Sequence, residues 1–190
     1  MEDINKFAKL GLNQEILDVI IENGFDKPTE IQEKAIPLAL KGRDVIGGSA
    51  TGSGKTLAFA APIIQNLKQG KKIQALILTP TRELAEQVSG AFKKFSQKYK
   101  FNILEVYGGV GIGNQINKLK RTDIVIGTPG RILDHLSRRT IDLSEVRYLV
   151  LDEADRMLDM GFLPDVERII KQCPRKRQTF LFSATISPEV

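Results

Sequence analysis

Two short stretches hold the residues whose types and spacing best suit chemistry. In Ser49-Ala50-Thr51-Gly52-Ser53-Gly54-Lys55-Thr56, two glycines precede a Lys-Thr pair, after an apolar run and before a helical pattern. Gly52 and Gly54 permit backbone conformations barred to residues with a β-carbon, so successive N–H groups can point inward at phosphate oxygens. A helix opening near Lys55 adds its positive end. Lys55 can neutralise charge on β- and γ-phosphates, and the Thr56 hydroxyl is placed for Mg2+. Ser49 stands where the motif has its first glycine, beside Gly48, which keeps the position small but reduces its backbone freedom. The bland alternative is a glycine-rich strand-to-helix turn.

The second stretch, Tyr148-Leu-Val-Leu-Asp152-Glu153-Ala154-Asp155, places two carboxylates directly after an apolar run. From there Asp152 could hold Mg2+, through water, and Glu153 could orient and deprotonate an attacking water. Alternatively the acidic group only begins the next helix, with Asp155 near its positive end. Together the two stretches describe nucleoside triphosphate chemistry. Asn117-Lys118-Leu119-Lys120 lacks the aspartate that a guanine-reading Asn-Lys-x-Asp needs, which argues against a GTPase.

Such residues need a scaffold that delivers them to one place. From about Arg43 onward, short β-branched runs ("DVIGG", "IQALILTP", "NILEVYGG", "TDIVIGTP", "RYLVLDE", "QTFLFSAT") alternate with longer helical patterns. This predicts an α/β fold whose buried, mostly parallel strands are covered by helices on both faces. Ligands of such sheets bind beyond the carboxyl ends of the strands, and nearly every unusual tripeptide falls at such an end. Residues 1–40 form a flank with helices over Gln14 to Asn23 and Thr29 to Leu40, the second interrupted near Pro37. Residues 41–190 form the core unit.

The chain has 190 residues, 42% hydrophobic and 27% charged, enough for one substantial core. Its formal net charge of +5 reflects basic clusters at Lys93-Lys94, Lys118 to Arg121, Arg138-Arg139 and Arg175 to Arg177. These suit a polyanionic partner or, more plainly, solvated helix faces. The single Cys173 excludes an internal disulfide and fits a reducing compartment. No secretory signal or bilayer-length apolar run is present, so the expectation is a cytoplasmic protein with no membrane partner.

Asp152-Glu153-Ala154-Asp155 is the tetrapeptide that names the DEAD-box ATP-dependent RNA helicases, and other elements of that family follow in order. They are Gly24-Phe25 to Gln32, the phosphate loop, Pro80-Thr81-Arg82-Glu83-Leu84-Ala85, Gly108-Gly109, Thr128-Pro129-Gly130-Arg131 and Ser183-Ala184-Thr185. The chain therefore resembles the family's first RecA-like, ATP-binding domain over nearly its whole length. The resemblance implies ATP as ligand, ADP as product, Mg2+, and RNA bound largely without sequence preference. It implies that Gln32 reads adenine, that Phe7 stacks on the base with Phe25 and Lys27 nearby, and that Thr29 belongs to the same group. Propensity alone makes Thr29 and Gln32 a capping box, and both roles can hold.

The resemblance further implies RNA contacts from Pro80, Thr81, Arg82, Gly108, Gly109, Gln115, Thr128, Gly130 and Arg131, where residue chemistry alone reads ordinary turns. Asp155 would be linked to Ser183 and Thr185, coupling the ATP state to RNA grip. The helix after Gly130 resembles the family's strand-bending wedge, although Ile132, Leu133 and Leu136 are more simply core-facing. His135 on that helix has no nucleophile motif beside it and is given no catalysis. The family works as a monomer with a second RecA-like domain that supplies an arginine finger, so the expectation for these residues alone is nearly no hydrolysis. Two other readings stay open: a non-enzymatic nucleotide- and RNA-binding module, and a DNA-directed ATPase of the same superfamily.

Overall fold

The computed structural model describes residues 4–48, 50, 52–70 and 72–190, so Ser49 and Thr51 of the phosphate loop lie outside the described residues. Three helices come first: α1 (Ile4–Ala8), α2 (Gln14–Glu22) and α3 (Glu30–Leu40). Strands and helices then alternate: β1 (Val45–Gly48), α4 (Lys55–Asn66), β2 (Ala75–Leu78), α5 (Arg82–Phe95), β3 (Ile103–Val106), α6 (Ile112–Leu119), β4 (Ile124–Gly127) and α7 (Pro129–Ser137). The chain closes with β5 (Tyr148–Asp152), α8 (Ala154–Asp159), α9 (Leu163–Ile170) and β6 (Gln178–Ser183).

The six strands form one sheet in the order β1-β6-β5-β2-β4-β3, and every pairing is parallel. Successive side chains alternate between its faces. Ala75 and Ile77 therefore join one core with Phe59, Ile63 and Phe92 from α4 and α5, while Leu76 and Leu78 join the other with Ile132, Met157 and Ile169 from α7, α8 and α9. Burial on both faces explains why these strands read as continuous apolar runs. Ile16, Ile20 and Ile36 of α2 and α3 belong to the first of these cores, where α2 packs against α5 and α3 against α4 and β1.

The expected interruption of α3 at Pro37 is not found: the helix is continuous from Glu30 to Leu40. Proline removes one N–H from the ladder, but Ile36 and Ala39 on either side are fully buried, and their packing holds the helical path.

Strand order decides where chemistry can occur. Because all strands run the same way, their carboxyl ends share one rim. Adjacent strands β1, β6 and β5 bring the phosphate loop, Ser183 to Thr185 and Asp152-Glu153 side by side. Adjacent strands β2, β4 and β3 bring together the turns at Pro80, Thr128 and Gly108.

Candidate nucleotide and nucleic-acid site

At the end of β1, Gly52 and Gly54 both take left-handed backbone conformations, with φ of 82° and 85°. Gly54 then starts α4, so Lys55 is its first residue and Thr56 follows in the first turn. Lys55 Nζ lies 3.0 Å from Asp152 Oδ1 and 3.5 Å from Glu153 Oε1, and the three side chains are buried. Arg156 holds the other Glu153 oxygen at 2.7 Å. Glu153 itself has φ 53° and ψ 53°, a conformation uncommon for a residue with a β-carbon. Local strain of this kind, where a strand hands over directly to a helix, costs about 1–3 kcal/mol.

Burial pushes the Asp152 carboxyl above the ordinary carboxylate range, against the opposing pull of Lys55. The Asp152 carboxylate is fully buried, with the Lys55 ammonium as its ion-pair partner. The Ser53 hydroxyl is buried and unpartnered. An unpartnered buried hydroxyl is costly, and with Lys55 and Asp152 it borders a cradle that a phosphate chain and a hard cation fit chemically: two left-handed glycines, one ammonium and one oxygen-only carboxylate.

Beside the loop, Gln32 is buried at 2% exposure. Its Oε1 accepts from the Thr29 N–H at 2.9 Å, the glutamine half of a capping box, and its Nε2 donates to the Gly54 carbonyl at 3.0 Å. A glutamine amide offers four hydrogen-bonding positions. Two are therefore engaged, leaving one donor and one acceptor. A cavity of about 420 Å3 lined by Thr29, Glu30, Ile31, Lys34, Gly48 and Ser53 opens next to it. Phe25 is half-buried with its ring 5.8 Å from that of Phe95, and Lys27 is exposed. Phe7, expected to stack on the base, is corrected by its burial: at 1% exposure its ring packs into the core and presents no open face.

Asp155, Ser183 and Thr185 meet as expected. The Asp155 N–H donates to Ser183 Oγ at 3.1 Å, Ser183 donates to the Thr185 carbonyl at 2.6 Å, and Thr185 returns its N–H and hydroxyl to Asp155 Oδ2 at 3.1 and 3.2 Å. Burial acts to raise the Asp155 pKa, but hydrogen bonding to Ser183, Thr185 and the Arg156 N–H outweighs it and holds the carboxyl below its usual range.

On the other half of the rim, Thr81 caps α5 by accepting from the Leu84 N–H at 3.3 Å, and Arg82 opens that helix, exposed. Gly108, Gly109 and Gly130 are exposed, Thr128 and Arg131 half-buried, and Pro80 buried. Gln115 sits behind this surface at 5% exposure, with its side-chain amide engaged inside the protein, so it is not placed to touch a ligand on the rim. A roomier cavity of about 810 Å3 lies at the amino-terminal end of β3, lined among others by Tyr99, Asn102 and Arg121. It contains none of the phosphate-loop or carboxylate residues.

Sequence reasoning missed Arg156 and Glu86, although both sit at helical spacing from a partner, Glu153 at i,i+3 and Arg82 at i,i+4. It also passed over Tyr107, whose ring lies under the Arg82 guanidinium at 4.8 Å and for which periodicity gave no signal.

Comparison with known proteins agrees with this geometry. A family model described as DEAD/DEAH box helicase matches residues 29–190. The ATP-dependent RNA helicase CshA of Listeria monocytogenes is 52% identical over 96% of this chain, which spans 36% of that protein. The ATP-dependent RNA helicase DeaD of Escherichia coli is 51% identical over 95% of the chain, spanning 29% of it. The crystal structure of a DEAD box protein from the hyperthermophile Methanococcus jannaschii superposes with a TM-score of 0.94 at 47% identity, covering 97% of this chain and 51% of that one. The chain thus spans about half or less of each relative's length, and on the family match and these identities it belongs to the DEAD/DEAH box helicase family, as a RecA-like helicase ATP-binding domain.

Proposed function

We propose that this chain is the ATP-binding half of an ATP-dependent RNA helicase, which grips the RNA sugar-phosphate backbone and couples ATP binding and hydrolysis to local duplex opening when joined to a second RecA-like domain. The observation that carries the reading is the buried Asp152 carboxylate, ion-paired with Lys55 at the mouth of the phosphate loop. Gly52, Gly54 and the first turn of α4 offer N–H groups to phosphate, and Lys55 leaves its carboxylates to neutralise phosphate charge. Thr56 and Asp152 would hold Mg2+, which when bound supplies charge neutralisation at the transferring phosphoryl group. Glu153, held by Arg156, orients the attacking water and accepts its proton. Gln32 keeps one donor and one acceptor for the adenine edge. Arg82, Gly108, Gly109, Thr128, Gly130 and Arg131 form the RNA-gripping surface. Contacts to phosphate and sugar carry little sequence information, so recognition is nearly sequence-independent.

On this reading the arginine finger, a group worth about 10³–10⁵ in rate, comes from the second domain. Joining this chain to a second RecA-like domain should therefore raise RNA-stimulated ATP hydrolysis by about that factor over the chain alone. Vigorous RNA-stimulated hydrolysis by the chain alone contradicts the division of labour. Failure of the joined protein to hydrolyse ATP, with ADP binding intact, favours a binding module.

A further inference from the structure

The turns assigned to RNA phosphates share one buried polar hub. Gln115 Nε2 donates to the Tyr107 carbonyl at 3.1 Å, which fixes the amide orientation. Its Oε1 then faces Arg131 Nη1 at 3.2 Å and His135 Nε2 at 2.9 Å. An amide oxygen only accepts, so His135 donates from Nε2, while its Nδ1 lies 2.8 Å from Thr140 Oγ1, whose hydroxyl also bonds the His135 carbonyl at 3.2 Å. Burial acts to lower the His135 pKa, consistent with a neutral ring.

Two further connections leave this hub. Arg131 also donates to the Val110 carbonyl at 3.0 Å, which ties α7 to the segment just beyond Gly108-Gly109. Tyr107, immediately before those glycines, carries Arg82 over its ring, and its hydroxyl donates at 2.7 Å to Glu86, which also accepts from Arg82 Nε at 3.0 Å. One glutamine therefore links the three turns that follow β2, β3 and β4.

We infer that His135, Gln115 and Tyr107 are positioning residues for the RNA grip: a hub that fixes Arg82, Gly108-Gly109 and Arg131 in one geometry. The inference rests on the proposed RNA-binding role of that surface. His135 is fully buried and Gln115 nearly so, and neither can touch a strand lying on the rim. Buried polar networks restrict their members to one arrangement when every partner is satisfied, and that restriction is what a rigid strand of phosphates requires. Arg131 has five donors; its hydrogen bonds engage Nη1 and its Nε lies 3.9 Å from Asp134 Oδ2, which leaves the Nη2 group for phosphate.

The test is binding of fluorescent oligo(U) at low salt, with ADP binding measured in parallel on the same samples. His135→Leu removes the donor to Gln115 and should weaken oligo(U) binding about tenfold while ADP affinity stays unchanged. His135→Gln, whose amide can again donate to Gln115, should restore binding to within about twofold. Arg131→Ala and His135→Leu should combine less than additively, because both act through one guanidinium. Tyr107→Leu, at a half-exposed position, gives the same reading through Arg82 should His135→Leu fail to fold. Parent-like oligo(U) binding by these variants, or equal loss of oligo(U) and ADP binding, overturns the assignment. A parent chain that binds ADP and no oligo(U) overturns the RNA reading beneath it instead.

Discussion

Lys55 Nζ lies 3.0 Å from Asp152 Oδ1, an ion pair made where neither side chain meets solvent. The ammonium expected on a phosphate is thus engaged by the carboxylate expected on a metal. On the proposed function nucleotide entry would exchange these partners, and the pair keeps two buried charges compensated in its absence.

Lys55→Met leaves Asp152 buried without its cation. Asp152 already has a raised pKa in the folded state, from burial, and loss of Lys55 raises it further. A carboxyl with a raised folded pKa favours the folded state at low pH and loses that contribution as pH rises through the folded value. Lys55→Met should therefore be destabilised by about 3–5 kcal/mol near neutrality and clearly less near pH 5. Denaturant unfolding at both pH values checks this, and adding Asp152→Asn should remove the difference. Equal destabilisation at both pH values contradicts it.

Asp155 has the opposite sign. Its folded pKa is held low, so its stabilisation is present above the ordinary carboxylate range and is lost as pH falls through the folded value. Asp155→Asn should lower stability at pH 7 and flatten its decline below about pH 4. In a two-domain protein, Ser183→Ala with Thr185→Ala should reduce unwinding more than nucleotide binding. Equal reduction of both argues against a coupling role.

Two glycine-to-alanine changes should diverge. A β-carbon on Gly54 meets Gln32 Nε2 at 2.5 Å, at a φ of 85°, so Gly54→Ala should destabilise the fold and abolish ADP binding. Gly90 lies exposed inside α5 with nothing within 4 Å of the added carbon. Gly90→Ala should stabilise by about 0.5–1 kcal/mol, read as a shifted denaturation midpoint with unchanged ADP affinity.

Cys173 is buried and its thiol is pushed up to about 11 by that burial. It should resist alkylation at pH 8 in the folded protein and react at the rate of an ordinary thiol in denaturant. Rapid native-state labelling contradicts the packing assigned to it.

The sheet was legible because its strands are buried on both faces and end in turn residues, so each apolar run marks a strand and each break marks the rim. The phosphate loop and carboxylates were legible for the same reason: their chemistry is local in sequence. What escaped was non-local. Nothing in the spacing of Gln115, Arg131 and His135 says that one amide joins them, since the link arises only when β3 and β4 lie side by side. Pro37 misled because a missing N–H is visible in sequence and the packing that outweighs it is not. Phe7 misled because family spacing specifies a residue type and leaves the side-chain direction open.

The central claim is that this loop holds an adenine nucleotide selected by Gln32. Titration calorimetry of ADP and GDP, each with Mg2+, against the parent chain and Gln32→Ala tests it most directly. The parent should prefer ADP, and Gln32→Ala should lose the preference. Equal binding of both nucleotides by the parent, or a preference that survives in Gln32→Ala, would leave Gln32 a helix cap and the loop a general phosphate binder.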